Sequence, residues 1–518
     1  MFWADELLKN RSGREWINDA WTPSGIVHMG GLKGPVIHDT LYKILKERGA
    51  DVKWTFGFDD LDPIDGLPPE LEKSHGQYMG IPIFIAPSPD GKGSFGEFYS
   101  NKMRAMFDAL GIEAEIYLAS EYYKKGIYNN AIKLVLDNAD KVRKVYEEMY
   151  KKEIAPDWYP LQVICPKCGK LGTTKVIGWD GKEVEYVCSP DLVKWAKGCS
   201  ATGKMSPFDG NAKMPFKVEW AAKWWTFGVT IEGAGKDHAS AGGTYDVARI
   251  ICKDVFGKEP PLKLPYEFFL SGGKKMSSSK GLGLNSEELL QVLAPEIVRF
   301  LMIKTEPNRA VEFEPKNTLI IPKLYDDYDQ ARKEYNRKAN SDFARAFVLS
   351  QTQKLNPLEI ADILPFDLVA KYVQMPNVDI SAKSIVEKDW TGIGVPGSSE
   401  YRKNLIEDRK KKALVWVEKY APESEKFLVQ KELPESAKGL TGEQKNLLKK
   451  IASELDRDMT AEDFQTRIYE LGKEVGLNGK EAFAAIYKAL IGKDHGPKAG
   501  WLIKSLDKEF VKKRFGEV

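Results

Sequence analysis

The run TPSGIVHMGG at residues 22–31 constrains this chain more than any other stretch. After it, Leu32, Val36, Ile37, Leu41, Ile44 and Leu45 fall on one face at helical spacing. Further on, Val52, Trp54, Phe56 and Phe58 alternate with other residues, as in a strand. The run therefore opens a helix and begins a β/α unit. Gly30 and Gly31 remove side chains where a ligand would approach backbone N–H groups, and a helix start favours an anion. His28 supplies a donor beside them. The same residues also describe a plain turn with a solvated histidine. Alone, the run fits both readings equally.

With 518 residues the chain has room for several domains. At 42% hydrophobic and 29% charged it has the composition of a soluble globular protein. No apolar run approaches the ~18 residues that a membrane span needs. The start, MFWADELLKN, carries acids and no apolar core, so no secretory signal is read and a cytoplasmic protein is expected. A net charge of +2 neither demands nor excludes nucleic acid. Residues 401–518 hold 25 Lys and Arg against 20 Asp and Glu, which hints at an anionic partner or describes a solvated face. Five cysteines are too few for a disulfide scaffold in a chain this long.

Residues 1–120 read as β/α: an apolar stretch at 81–85, an amphipathic helix around 103–110 closed by Gly111, and a strand over 112–118. Asp59, Asp60 and Asp62 follow the first strand. At the carboxyl end of a parallel strand they would face a ligand crevice; they would also suit a surface loop. Residues 121–153 read as one long helix, stopped by Pro156 and Pro160.

Residues 161–215 change to short strands and turns, with Asp180 and Gly181 as a hairpin turn. Cys165 and Cys168 lie in a C-P-K-C-G knuckle, and Cys188 and Cys199 complete four thiolates. Such a set closes a tetrahedral Zn²⁺, so the site would be structural. Asp191 is an alternative fourth ligand. Cys252 falls on a helix and reads as core.

Residues 216–290 return to β/α. A strand at 229–231 precedes Gly235, Asp237 and His238. A Gly-x-Asp there suits a ribose, or caps a helix. A helix is expected from 244 to 256 and a strand over 266–270. Residues 271–281, SGGKKMSSSKG, then offer cations, hydroxyls and glycines suited to a transiently held polyphosphate. The glycine spacing is not that of a P-loop. A flexible linker has the same composition. Beyond Glu287 the pattern is almost wholly helical, with loops near 306–316, 354–366, 374–400 and 421–440.

Two distant stretches share a pattern. TPSGIVHMGG resembles the HIGH signature of class I aminoacyl-tRNA synthetases, and Lys275, Met276, Ser277, Ser278 and Ser279 resemble their KMSKS loop. FWAD at 2–5, the TPSG run, GKDH at 235–238, PYEF at 265–268 and GKDHGP at 492–497 narrow the resemblance to class I lysyl-tRNA synthetases, over nearly the whole chain. Gly31 and Ser278 depart from the fourth position of each signature, and Lys280 is displaced.

The resemblance implies an α/β fold: a Rossmann-like parallel-sheet catalytic domain in two halves, 1–120 and 216–295, split by a zinc-binding insertion at 121–215. A helical connecting subdomain at 296–360 and a helical anticodon-binding domain at 361–518 would follow. The implied reaction joins L-lysine to ATP as lysyl-adenylate, with Mg²⁺ helping, then passes the lysyl group to tRNA(Lys). No obligate protein partner is implied. His28 and Lys275 would be catalytic. Pro23, Ser24, Gly25, Gly30, Gly31, Gly235, Asp237, His238, Met276, Ser277 and Lys280 would join them around ATP. Phe216, Glu219, Tyr266, Asp59 and Asp60 would hold lysine. Trp416, Lys498, Trp501 and Lys504 would meet tRNA, although a tryptophan is more often core. Two alternatives stand beside this one. Glutamyl-tRNA synthetase shares the signatures, but its substrate needs a cation near the TPSG run, and residues 15–32 hold Glu15 and Asp19 with no Lys or Arg. An RNA-binding or nucleotidyl-transfer paralogue without aminoacylation would keep the fold.

Overall fold

Arg14–Trp21 (β1) is the strand on which the first part of the molecule is built. The computed structural model describes residues 1–276, 284–353, 364–376 and 399–518, with the backbone alone for 399–403. The chain forms two compact units. The first comprises Met1–Leu290, Pro295–Phe313 and Lys338–Lys354; the second comprises Gln291–Ala294, Glu314–Arg337 and Leu355–Val518.

In the first unit β1 pairs in parallel with Asp51–Phe58 (β2), from Arg14 opposite Asp51 to Trp21 opposite Phe58. Glu115–Leu118 (β3) extends that side, in parallel with β2. On the other side lie Ile231–Gly235 (β4) and then Leu262–Tyr266 (β5), both parallel. The order is β3-β2-β1-β4-β5. It reverses direction at β1/β4, the switch point where doubly wound sheets bind ligands at their carboxyl ends. Trp54, Phe56 and Phe58 are buried, as their alternation requires. β1 gave no such signal, because it carries Glu15, Asn18 and Asp19.

The helix after TPSGIVHMGG is Lys33–Glu47 (α1), preceded by a 3-10 turn at Met29–Leu32. Its apolar face is fully buried, and its first turns bury Lys33, His38 and Asp39 too. Gly34 sits where a Cβ would come within 2.6 Å of Tyr266 Oη and 2.8 Å of Asp19 Oδ2. Phe95–Leu110 (α2) starts on a Ser94/Glu97 capping box and ends at Gly111, whose φ of 60° needs glycine. Residues 81–85 are loop, and the 121–153 helix is three: Ala119–Lys124, Asn129–Asp137 and Ala139–Tyr150. Gly126, at φ 70°, turns the chain after the first, and Tyr128 buries there against Tyr123.

Residues 162–213 form a small β ribbon. Thr174–Trp179, Val184–Cys188 and Thr202–Met205 make an antiparallel sheet, with Gly181 at φ 96° in the expected hairpin turn. Phe216–Phe227 (α3) and Thr244–Asp254 (α4) then pack beside the core sheet. The expected strand over 266–270 is two pieces. β5 ends at Tyr266, and Phe269–Ser271 pairs instead with Lys274–Lys275 in a hairpin. Gly272 and Gly273 turn it, both at positive φ. The polar loop expected at 271–281 is thus a tight hairpin up to Lys275; residues 277–283 lie outside the described residues.

The second unit is helical. Ile320–Asn336, Phe366–Tyr372 and Ser399–Lys419 come first, followed by Gly442–Glu454, Ala461–Glu474, Gly479–Leu490, Ala499–Ser505 and Lys508–Gly516. Thr441, Thr460, Asn478 and Asp507 cap four of them with side-chain oxygens. Residues 491–498, with Gly492, Gly496 and Pro497, separate the last of the long helices from the final pair. Among the described residues no helix is long and apolar enough to cross a membrane.

Candidate active site

A cavity of about 270 Å³ opens at the carboxyl ends of β1, β4 and β5. Asp19, Ala20 and Trp21 line it from β1, Gly235, Asp237 and His238 from the end of β4, and Tyr266 from β5. His28, Gly30, Gly31 and Pro35 come from TPSGIVHMGG and the start of α1, and Lys275 and Met276 from the Gly272–Gly273 hairpin. The two signature stretches therefore meet at one place.

His28 caps the 3-10 turn with extended backbone. Its Nδ1 is buried and has no hydrogen-bond partner among the described residues. Burial, and secondly the charge of Lys275, hold its pKa below the ordinary 6.5, so the ring is neutral at pH 7. Gly30 gives it room: a Cβ there would lie 2.8 Å from His28 Cε1. The backbone of 27–29 is tied to the far side of the signature loop. Met29 N–H donates to Leu284 O at 3.3 Å, and Ser286 N–H to Val27 O at 3.0 Å.

Lys275 Nζ donates to Asp237 Oδ2 at 2.9 Å and lies 4.0 Å from the centroid of Phe268. Partial burial pushes the Asp237 carboxyl up, but the Lys275 hydrogen bond with the charges of His238 and Lys275 outweighs it, and the net shift is downward. Lys236 pairs with Glu267 at 2.7 Å. Lys33 is buried and donates to Glu267 O at 2.8 Å; burial brings its pKa down to about 8. Each of these cations is turned to an acceptor of its own.

The floor of the cavity is acidic. Asp19 Oδ2 lies 3.2 Å from His38 Nδ1, and His38 Nε2 accepts from Gly233 N–H at 2.7 Å. Glu232, buried behind it, accepts from Trp220 Nε1 at 2.7 Å and Trp224 Nε1 at 2.6 Å. Burial pushes its pKa up to about 7 against those two bonds. Burial first, then Asp19 and Asp237, push the Tyr266 phenol up. Residue order gave no sign of Glu232. Asp19 was visible as an acid just before the TPSG run.

Three of the acids expected to hold lysine are elsewhere. Glu219 is buried between Lys213 and Lys223, and Lys223 also pairs with Asp59. Lys213 reaches Asp62 at 2.8 Å. Asp60 accepts from Ser120 N–H at 2.8 Å and Ser120 Oγ at 2.5 Å. These carboxylates are already partnered inside the core, and losing one partner of a buried ion pair costs about 3–5 kcal/mol. Phe216 opens α3. It is 38% exposed and packs its ring 5.6 Å from that of His238, at the rim and not among the lining residues. Pro23, Ser24 and Gly25 lie between Trp21 and His28 but do not line the cavity. Ser277 and Lys280 lie outside the described residues.

Comparison with known families decides the lineage. The family of tRNA synthetases class I (K) matches residues 2–353, and that of anticodon binding domains matches residues 399–518. The chain belongs to the class I tRNA synthetases (K). Its relatives include proteins called lysine–tRNA ligase. That of Archaeoglobus fulgidus is 34% identical over 99% of both chains. That of Picrophilus torridus is 31% identical over 100% of this chain and 99% of the other, and that of Methanococcus maripaludis 33% over 99% of both.

This synthetase also brings four of its five cysteines together. The Sγ atoms of Cys165 and Cys199 are 3.6 Å apart and those of Cys168 and Cys188 3.7 Å, with all four within 4.8 Å of one another. A tetrahedral Zn²⁺ with Zn–S bonds of about 2.3 Å separates its sulfurs by about 3.8 Å. Asp191 is not in the group. Burial, reinforced by the other sulfurs, pushes the Cys168 thiol up to about 12, whereas the Ala201 N–H and the neighbouring thiols bring Cys199 down to about 7 against burial.

In its second unit Trp416 is 2% exposed and edge-on to Phe366, so it is core and offers no stacking face. Trp501 is half-buried, 5.9 Å from Tyr372, and Lys504 lies over Phe464 at 5.0 Å. Lys498 occupies the N-cap position of the helix Ala499–Ser505 without a side-chain capping bond.

Proposed function

We infer that this synthetase is an ATP-dependent ligase that joins L-lysine to tRNA. Full-length similarity to lysine–tRNA ligases supports the reaction, and the charge of the cavity supports the amino acid. A glutamate side chain would need an unpaired cation; among the described residues that line the cavity, Lys275 is the one lysine or arginine, and it pairs with Asp237. A lysine needs carboxylates and apolar cover for its methylenes. Asp19 and Tyr266 supply the polar side, and Phe216 with His238 the rim.

The α-carboxylate of lysine, with a pKa of about 3.5, is ionised at neutral pH and attacks the α-phosphate without a general base. Rate then comes from alignment and from charge neutralisation. Asp237 receives the ribose, since Gly235 leaves the backbone open beside it. His28, as a neutral donor, and Lys275 meet the phosphates as charge moves onto pyrophosphate. Mg²⁺ arriving with ATP would add positive charge there. Residues 399–518 read the anticodon. Cys165, Cys168, Cys188 and Cys199 would hold a Zn²⁺, which would fix the shape of the ribbon away from the cavity. The test is ATP-dependent charging of tRNA, compared across amino acids: lysine must be the one attached.

A further inference from the structure

His38 stands behind the cavity and does not line it. Its ring is buried, stacked 5.5 Å from Trp54 of β2. Nε2 accepts from Gly233 N–H at 2.7 Å. A backbone N–H can only donate, so the ring carries its proton on Nδ1. That Nδ1–H has two acceptors, Gly34 O at 2.8 Å and Asp19 Oδ2 at 3.2 Å. The other oxygen of Asp19, Oδ1, accepts from Ala20 N–H at 2.8 Å.

Two glycines keep this arrangement clear. A Cβ on Gly34 would lie 2.8 Å from Asp19 Oδ2, and one on Gly233 would lie 3.1 Å from His38 Nε2. Folding alone does not account for the ring. An imidazole buried beside two buried carboxylates, Asp19 and Glu232, costs desolvation that an apolar side chain would avoid. What the ring supplies is a donor without a charge. Asp19 is oriented by two N–H groups, and among the described residues no lysine or arginine pairs with it. Glu219 shows the opposite arrangement: Lys213 and Lys223 cancel its charge, and nothing is left for a ligand.

We propose that His38 is a positioning residue that determines specificity: its Nδ1–H, with Nε2 held by Gly233, fixes the charged Asp19 carboxylate where the ε-ammonium of lysine arrives. The inference rests on the ligase reading, which puts that ammonium at Asp19. A second proton can enter the ring only at Nε2. It would break the Gly233 bond and set an imidazolium against Asp19, in the role of the substrate's own cation. Asp19 of β1 and Glu232 of β4 face the ring, Tyr266 Oη of β5 meets Asp19 over Gly34, and Asp39 of the same helix is turned to Arg299 at 2.7 Å. Burial pushes the His38 pKa down, but the charge and hydrogen bond of Asp19, with the charge of Glu232, outweigh it, and the net shift is upward. Lysine should therefore bind less well in acid.

The experiment is ATP–pyrophosphate exchange by the full chain, with His38→Leu and His38→Asn. Both substitutions give up the Gly233 bond. Asparagine offers an N–H near the place of Nδ1–H, and leucine offers none. His38→Leu should raise KM for lysine about tenfold or more, the effect of one lost hydrogen bond to a charged group, and leave KM for ATP alone. His38→Asn should stay near the wild type. In an Asp19→Asn background His38→Leu should add nothing further. Wild-type KM for lysine should rise between about pH 8 and about pH 6, the range in which histidine charges, and His38→Asn should lose that rise. Equal losses in the two variants overturn the proposal, as does a matching rise in KM for ATP or an acid rise that His38→Asn keeps. NMR of nitrogen-labelled histidine in the wild type reads the tautomer whether or not a variant folds. An unprotonated Nε2 at about pH 8 is expected, and a protonated one overturns the proposal. If the wild type shows no lysine-dependent exchange, the ligase reading falls, and the tautomer still decides how His38 meets Asp19.

Discussion

Lys275 and Asp237 hold each other at the cavity, Nζ to Oδ2 at 2.9 Å. The proposed chemistry assigns them to opposite ends of ATP, phosphate and ribose. Binding must therefore replace their mutual contact with contacts to the nucleotide. Lys275→Ala should lower kcat for adenylate formation ~10²–10³-fold, the size seen when one preorganised donor is lost. Asp237→Ala should raise KM for ATP. The double variant should lose less than the product of the two single losses, because each single change also frees the other residue. A strictly multiplicative double variant would show that the pair has no part in the cycle.

His28 is held below its ordinary pKa of 6.5, first by burial and then by Lys275. Removing the Lys275 charge should move the His28 titration upward, as followed by NMR of the ring protons in Lys275→Ala. A downward move would contradict the geometry. The sign for stability follows. The unfolded chain takes this proton more readily, so the contribution of His28 is present above 6.5 and is lost as pH falls through the folded value.

Gly34 is the point on which Tyr266 Oη and Asp19 Oδ2 converge, at 2.6 and 2.8 Å from a Cβ built there. Gly34→Ala should push both aside. A displacement of about 1 Å at a reacting site costs ~10²-fold, so lysine-dependent exchange should fall by about that much. The melting temperature, read alongside, separates this from a general loss of fold. Unchanged lysine kinetics would remove Asp19 and Tyr266 from the lysine site.

The cysteine cluster should carry about one equivalent of zinc in protein purified without added metal, by the closed four-thiolate geometry. Cys165→Ser should loosen 161–215 and reduce tRNA charging more than adenylate formation. A metal-free protein with all five thiols titrating freely would exclude the site.

Legibility followed the distance over which each signal acts. The β/α unit after TPSGIVHMGG, the Gly111 helix end, the Gly181 hairpin and the cysteine knuckle are local patterns, and each appears where the residues put it. β1 was illegible because its polar residues are satisfied far along the chain: Glu15 by Thr230, and Asn18 by Glu232. Asp59 misled for the same reason, and Glu219 because its neutralising partners Lys213 and Lys223, although near in sequence, come from a strand end and the next turn of its own helix. An acid near a motif reads as a ligand until Lys213 and Lys223 are seen neutralising it, and Lys223 lies 164 residues from Asp59. Asp19 reached the cavity because it lies near the carboxyl end of a parallel strand at the switch point, which only the sheet order reveals.

The central claim is that the cavity selects lysine and activates it with ATP. It is tested most directly by amino-acid-dependent ATP–pyrophosphate exchange, run with lysine and, in the presence of tRNA, with glutamate. A site that buries acids should reject amino acids lacking the ammonium strongly. The account predicts exchange with lysine and none with glutamate. Exchange driven by glutamate and not by lysine would contradict it, while leaving the sheet, the cavity and the phosphate chemistry of His28 and Lys275 in place.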